Sequence, residues 1–179
     1  AEAFFKRAVE ADPKDATHLG NYAIFLEKRE RFEEAEAFYK RALEADPKHA
    51  DRLGNYGQIL AGVGRLQEGE AKLRQSFQHL DTANHGNTAE VCFSLWLVAR
   101  MQGRDANEWE RRFKFLFEQG FKRYRWSFER MLNQAEKLIS PDELEYARAL
   151  AAAFLEESKV ADLAKYPRWK ALEPLAPKA

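Results

Sequence analysis

His79, Asp81 and His85 stand close together in the polar stretch HLDTANHGNTAE, and two imidazoles beside a carboxylate are donors that a divalent metal would accept. No further strong ligand follows at a recognisable spacing. The stretch is expected to be a polar loop, with no metal held. Cys92, the single cysteine, sits inside VCFSLWLVA, where a thiol packs as a small hydrophobe. There is no Gly-rich phosphate loop and no nucleophile motif, and the adjacent acids Glu33 and Glu34 belong on a helix surface. No catalytic residue, no cofactor and no enzymatic activity are expected.

A second stretch, RRFKFLFEQGFKRYRW, interleaves Arg111, Arg112, Lys114, Lys122, Arg123 and Arg125 with aromatic rings. Such a mixture can neutralise phosphates while rings stack on bases. At helical spacing, however, Phe113, Leu116 and Phe117 belong to a core, and the flanking cations form a solvated rim whose stems cover apolar surface. The rim is favoured, nucleic acid is disfavoured, and an acidic protein surface is the better partner for any such patch. Net charge agrees, because 29 Lys and Arg balance 29 Asp and Glu, leaving no overall field to draw the chain onto a polyanion. The longest apolar run is about half of the ~20 residues that a membrane span needs. No secretory leader precedes Ala1, and one cysteine cannot form an internal disulfide, so no membrane and a reducing, cytoplasmic setting are expected.

These residues need elements to position them. The chain of 179 residues suits one or two small domains, with about two thirds of the unfolded surface buried. It repeats itself: AEAFFKRAVEADPK returns as AEAFYKRALEADPK, and HLGNYAIFLEK as RLGNYGQILAG, a period of about 34 residues. Leu19, Tyr22, Ala23 and Leu26 share one helix face, as do Phe32, Ala35, Tyr39, Ala42 and Leu43. Pro47 stops the second helix. Each unit is therefore a helical hairpin.

On these residues the chain resembles the tetratricopeptide repeat family. The first-helix motif reads Leu19, Tyr22, Ala23, Leu26 and again Leu53, Tyr56, Gly57, Leu60; the second reads Ala35, Tyr39, Ala42, Pro47, and also Ala1, Phe5, Ala8, Pro13. The resemblance implies an all-α fold, a right-handed superhelical stack of antiparallel helix pairs with a divergent C-terminal helical region. Residues 1–14 would be the second helix of a truncated unit, 15–48 and 49–82 full units, 83–120 a degenerate hairpin, and 121–179 a helical cap with a frayed tail. In the hairpin, Trp96 falls where the family places a very small residue once Gly103 and Arg104 are matched to Gly64 and Arg65. A helix is expected from Thr88, another from an Asp105 cap, a third with Phe128, Met131, Leu132, Ala135 and Leu138 on one face, and a fourth from a Ser140 cap with Leu144, Ala147, Leu150, Ala151, Phe154 and Leu155 on one stripe.

The resemblance also implies a concave groove lined by first helices, here Thr17, Gly20, Asn21, Ile24 and Lys28, then Asp51, Gly54, Asn55, Gln58 and Gly62. Gly inside a helix costs about 1 kcal/mol relative to Ala, so the repeated GN suggests close approach by something. Asn21 and Asn55 could hold the backbone of an extended peptide, with Gly20, Gly54, Ile24 and Gln58 selecting side chains. The carboxylate clamp found in some members is not supported, since Gly20 and Ile24 stand where its Lys and second Asn belong. The expected function is a protein-interaction scaffold that binds another protein or peptide in this groove. The alternatives are self-association through an open edge at Phe4, Phe5 and Val9, and a recruiting part of a larger enzyme. A start inside a repeat favours a fragment of a longer protein over an edge closed by a second copy.

Overall fold

The computed structural model describes residues 1–81, 84–120 and 127–177, and the regular structure within them is helical. The helices are α1 (Glu2–Ala11), α2 (Ala16–Glu27), α3 (Phe32–Ala45), α4 (Ala50–Gly62), α5 (Leu66–His79), α6 (His85–Met101), α7 (Asn107–Gln119), α8 (Glu129–Ala135), α9 (Pro141–Leu155) and α10 (Pro167–Ala171), with a 3₁₀ segment, Glu157–Lys165, before the last. Successive pairs α2–α3, α4–α5 and α6–α7 stack in chain order, with α1 against α2.

Local chemistry sets the ends. The Asp15 carboxylate accepts the His18 amide at 2.6 Å, and Ser140 Oγ accepts the Glu143 amide at 3.3 Å with Pro141 at the first helical position, both satisfying otherwise unpaired first-turn donors. Two starts differ from expectation. Asn84, not a residue near Thr88, caps α6 by accepting the Asn87 amide at 3.3 Å. Asp105 accepts the Asn107 amide at 3.2 Å, and α7 begins one residue later than an Asp105 cap would place it.

The three hairpin turns are one structure. Glu30, Gly64 and Gly103 take φ of 60°, 89° and 67°, and the next residue's amide reaches back to close the helix: Arg31 to the Leu26 carbonyl at 3.0 Å, Arg65 to Leu60 at 2.9 Å and Arg104 to Ala99 at 2.9 Å. This is the left-handed helix ending that glycine accepts without strain. Glu30 carries a Cβ there.

Between pairs, one carboxylate gathers the next turn. Glu2 accepts the Tyr22 hydroxyl at 3.1 Å and Arg31 at 2.8 Å, while Arg31 Nε also donates to Glu34 at 2.7 Å. The set recurs as Glu36 with Tyr56 at 3.0 Å and Arg65 at 2.8 Å, and Arg65 with Glu68 at 2.8 Å. Glu70 repeats it loosely, accepting Gln102 at 3.0 Å, Arg74 at 2.8 Å and Arg104. Arg31 and Lys6 hold the Glu2 carboxyl at about 2. Burial alone would raise Glu36, yet donors from Lys40, Arg65 and Tyr56 bring it to about 2 as well.

Within pairs the crossing is close. A Cβ on Gly57 would lie 2.9 Å from the Gly69 carbonyl oxygen, and one on Gly69 would lie 2.7 Å from that of Gly57, so only glycine lets α4 and α5 approach this far. In α6 Trp96 takes the place of Gly57. It is buried, edge-on to Tyr146 of α9 with ring centroids 5.8 Å apart, and α9 thus packs against α6.

Two apolar clusters meet at α4: Val9 through Leu60, and a larger one from Ala61 to Trp169. Val9 is covered and Phe5 stacks on Tyr22 at 6.1 Å, so of the expected open edge it is Phe4 that stays bare, at 65 % exposure. Leu138 and Leu155, expected on buried stripes, are 47 % and 38 % exposed. Leu138 lies in the turns after α8, where the helical register has been lost, and Leu155 is the last residue of α9. The chain after α10 is held rather than frayed through Pro177, because Leu175 donates to the Arg111 carbonyl at 3.0 Å and Arg112 to the carbonyls of Ala176 and Pro177.

Arg168 fastens α10. It bonds Glu143 at 3.0 Å and Glu110 at 2.6 Å, and Glu110 is 1 % exposed, also accepting the Tyr146 hydroxyl. Removing one partner of a buried pair strands the other charge. Arg168→Met is expected to lower stability in urea unfolding by about 2–3 kcal/mol, under the fully buried range because the arginine itself is part-exposed. Adding Glu110→Gln should recover most of that loss; two additive losses would show that the pair is not coupled. At the first turn, Glu30→Gly relieves the left-handed backbone and is expected to raise stability by about 1 kcal/mol in the same assay, whereas a loss would mean that the Glu30 side chain contributes more than the strain.

Candidate functional site

Residues of α2, α4 and α6 line two cavities between the helices. On α2, Thr17 and Asn21 are exposed, as is Lys28 just after it, and Ile24 is half-buried. Ile24 stands between two cavities. One, of about 930 Å³, runs past Glu27, Lys28, Phe32, Gly62 and Arg130; the other, of about 500 Å³, runs past Asp51, Gly54, Asn55, Asn87, Glu90 and Val91.

The wall of the larger cavity is α8. Phe128, Met131, Leu132 and Ala135 root it in the core, Phe128 meeting Phe93 at 4.5 Å and Phe154 at 5.2 Å. Its Arg130 then reaches onto the concave face, with the stem against Gly62 and the guanidinium over the Phe32 ring. Residues after 127 thus line this cavity together with α2 and the end of α4.

The expected groove residues divide. Gly20 does leave room for a close approach, but the group that approaches is Arg52 of the neighbouring helix, which bonds Asp46 at 3.4 Å. Gly54 likewise faces Ser76 and Val91, at 3.1 and 3.5 Å from where its Cβ would be. Gln58 is 6 % exposed, and its amide nitrogen donates to Glu90 at 2.8 Å and Ser94 at 3.0 Å. Asn55 is 7 % exposed, lies against the Tyr39 hydroxyl and lines the smaller cavity. Asp51 is exposed and accepts Asn87 Nδ2 at 2.8 Å.

Sequence reasoning missed Glu27 and Glu90. Matching Gly64–Arg65 to Gly103–Arg104 and counting back along α6 puts Glu90 opposite Asp51, Ser94 opposite Asn55 and Leu97 opposite Gln58, so the signal was present. Burial pushes the Glu90 carboxyl up to about 8, and Asp51 and Glu27 add to the rise while Gln58 opposes it. Burial also raises Glu27, against the donation of the Tyr39 hydroxyl at 2.9 Å.

Of the expected basic patch, Lys122, Arg123 and Arg125 lie outside the described residues. Arg111 donates to the Glu173 carbonyl at 2.8 Å, Arg112 to Glu108 at 2.8 Å, and Lys114 to the carbonyls of Trp169 at 3.0 Å and Leu172 at 2.7 Å. These three hold the C-terminal segment. His85 faces the Gly120 carbonyl at 3.4 Å, and among the described residues no group of three His, Cys, Asp or Glu is placed to hold a metal. Burial pushes the Cys92 thiol up, away from a reactive thiolate. No helix among the described residues is long and apolar enough to cross a membrane.

The tetratricopeptide repeat family model matches residues 1–50 and 30–76. Residues 1–76 are tetratricopeptide repeats. A solved structure, from a functional characterization of PilF of Pseudomonas aeruginosa, superposes with a TM-score of 0.55 at 20 % identity, over 93 % of this chain and 85 % of that one. At that identity the likeness is one of fold, and fold alone assigns no partner. It extends the helix-pair architecture beyond the matched repeats. No curated protein matches the sequence.

The raised Glu90 carboxyl has a signed consequence. Its value in the unfolded chain is near 4.5 and in the fold about 8, so between these the fold binds a proton that the unfolded chain has released. Stability from this group is whole below 4.5, falls as pH rises toward 8 and is flat beyond, with a slope of up to about 1.4 kcal/mol per pH unit. Glu90→Gln is expected to remove that decline from urea-unfolding stabilities measured across the window. An unchanged slope would mean that the carboxyl titrates normally.

Proposed function

We propose that this chain is a protein-interaction scaffold whose work is binding, not catalysis, and that it takes a peptide segment or helix of a partner along the concave face of its tetratricopeptide repeats. The observation that carries this reading is the pair of cavities that flank Ile24 on that face. Their sizes are those of built ligand sites. The first helices and α8 hold the walls in place before anything binds, so the groove needs no ordering on its own side when it is filled.

In this reading Thr17, Asn21, Lys28, Asp51 and Asn55 offer polar contacts, Ile24 the apolar one. Gly20, Gly54 and Gln58 act behind them: the glycines let neighbouring helices close up, and Gln58 orients Glu90. Arg111, Arg112 and Lys114 serve the fold.

The test uses short random peptides displayed on phage and selected on the whole chain. Binders are expected to compete with one another and to lose about tenfold or more in affinity on Ile24→Trp, which fills the junction of the two cavities, with circular dichroism unchanged. Binders indifferent to this substitution would place recognition elsewhere, and Phe4 would become the next surface to probe.

A further inference from the structure

The register of the three first helices puts Thr17, Asp51 and Glu90 at one height of the groove and Asn21, Asn55 and Ser94 at the next. Two successive helices thus present a carboxylate at the same level, and both line the smaller cavity with Ile24, Asn55 and Val91. Outside the groove the inter-helix acids carry arginines: Glu2 with Arg31, Glu36 with Arg65, Glu110 with Arg168, Glu143 with Arg100. Asp51 and Glu90 instead take neutral amides, from Asn87 and Gln58, both at 2.8 Å. Among the described residues no Lys, Arg or His pairs with either.

The same face shows how it treats a cation. Arg130 lies in the neighbouring cavity with its stem on Gly62 and its guanidinium over Phe32, where Glu27, Glu30 and Glu33 favour its charge against the burial that opposes it. Arg52 is seated likewise on Gly20 beside Asp46. Twice, then, a glycine on a groove helix receives an arginine stem with an acid nearby.

Resting on the groove reading, we propose that the smaller cavity takes a lysine or arginine side chain from a segment of a partner protein, its charge between Asp51 and Glu90 and its stem against Ile24 and Val91. Charge complementarity selects this occupant. An acidic or purely apolar side chain would leave Asp51 with no cation beside it and Glu90 held in its neutral form.

Proton linkage follows from the same geometry. The titratable groups that face Glu90 are Glu27 of α2, Tyr39 of α3 and Asp51 of α4, with Gln58 the neutral donor. With the carboxyl near 8, neutral solution leaves it protonated. An arriving cation favours the ionised form, so the carboxyl gives its proton to buffer as the complex forms, and affinity rises with pH until about 8.

The experiment takes the phage-selected peptides that depend on Ile24 and replaces each basic residue in turn with norleucine, measuring affinity by calorimetry in two buffers of different ionisation enthalpy. One replacement is expected to weaken binding about tenfold and to abolish proton release. Asp51→Asn with Glu90→Gln, which keeps an acceptor for Asn87 and for Gln58, should erase the difference between basic and norleucine peptides without altering the melting of the free protein at acid pH. Peptides that bind equally well without a basic residue would overturn the proposal while leaving the groove reading intact. Failure to find any binder dependent on Ile24 would instead sink the groove reading.

Discussion

One carboxylate at each junction, Glu2 and then Glu36, receives a tyrosine hydroxyl and an arginine from the next helix pair. Every further feature depends on the register this imposes. The bonds are not the main source of stability, since an exposed ion pair contributes about 1 kcal/mol or less, while full burial of one large apolar side chain contributes about 1.5–3 kcal/mol. Leu19, Leu26, Leu53, Leu60 and Leu73 are all essentially inaccessible, so the cores hold the stack together. Apolar contact is non-directional, however, and tolerates sliding. A carboxylate with two or three charge-assisted donors does not.

Fixed register is what turns three helices into a groove. With the helices stacked in chain order, Asp51 and Asn55 of α4, Glu90 of α6 and Ile24 of α2 line one cavity. The glycine pair Gly57 and Gly69 draws α4 against α5. In the cavity Asp51 and Glu90 take neutral amides where Glu2 and Glu36 take arginines. A half-buried carboxyl without a cation destabilises the fold when ionised, and the chain limits that loss by favouring the protonated Glu90, bonded to Gln58.

Much of this architecture was legible because it is local or periodic. The repeat of about 34 residues, the Pro47 stop, the Ser140 cap and the buried Ala23, Ala35 and Ala42 all follow from residues close in sequence. Even the junction set could be read, since Glu2, Tyr22, Arg31 and Glu34 recur as Glu36, Tyr56, Arg65 and Glu68. What escaped was decided by neighbours distant in sequence. The glycines of GN suggest close approaches, but no pattern in α2 says that Arg52 fills the space at Gly20. Nor does RRFKF reveal that Arg112 and Lys114 serve carbonyls near the C terminus. Leu138 fits a helical stripe and is exposed because α8 ends before reaching it.

The C-terminal region follows from a single large residue. Trp96 stands where Gly57 stood, and an indole cannot enter a crossing in which even a Cβ would lie 2.9 Å from a carbonyl oxygen. The third pair cannot close as the second does, and α9 comes in to meet the indole through Tyr146. Once α9 is there, Phe154 and Phe93 make a bed for Phe128, and that contact swings α8 under the first helices and not away from them. Arg130 then reaches the concave face at Gly62, a position where any side chain would block its stem. The enclosure of the groove at that end is thus a consequence of failed close packing further along the chain, and a small residue at Trp96 would remove the reason for α8 to lie where it does.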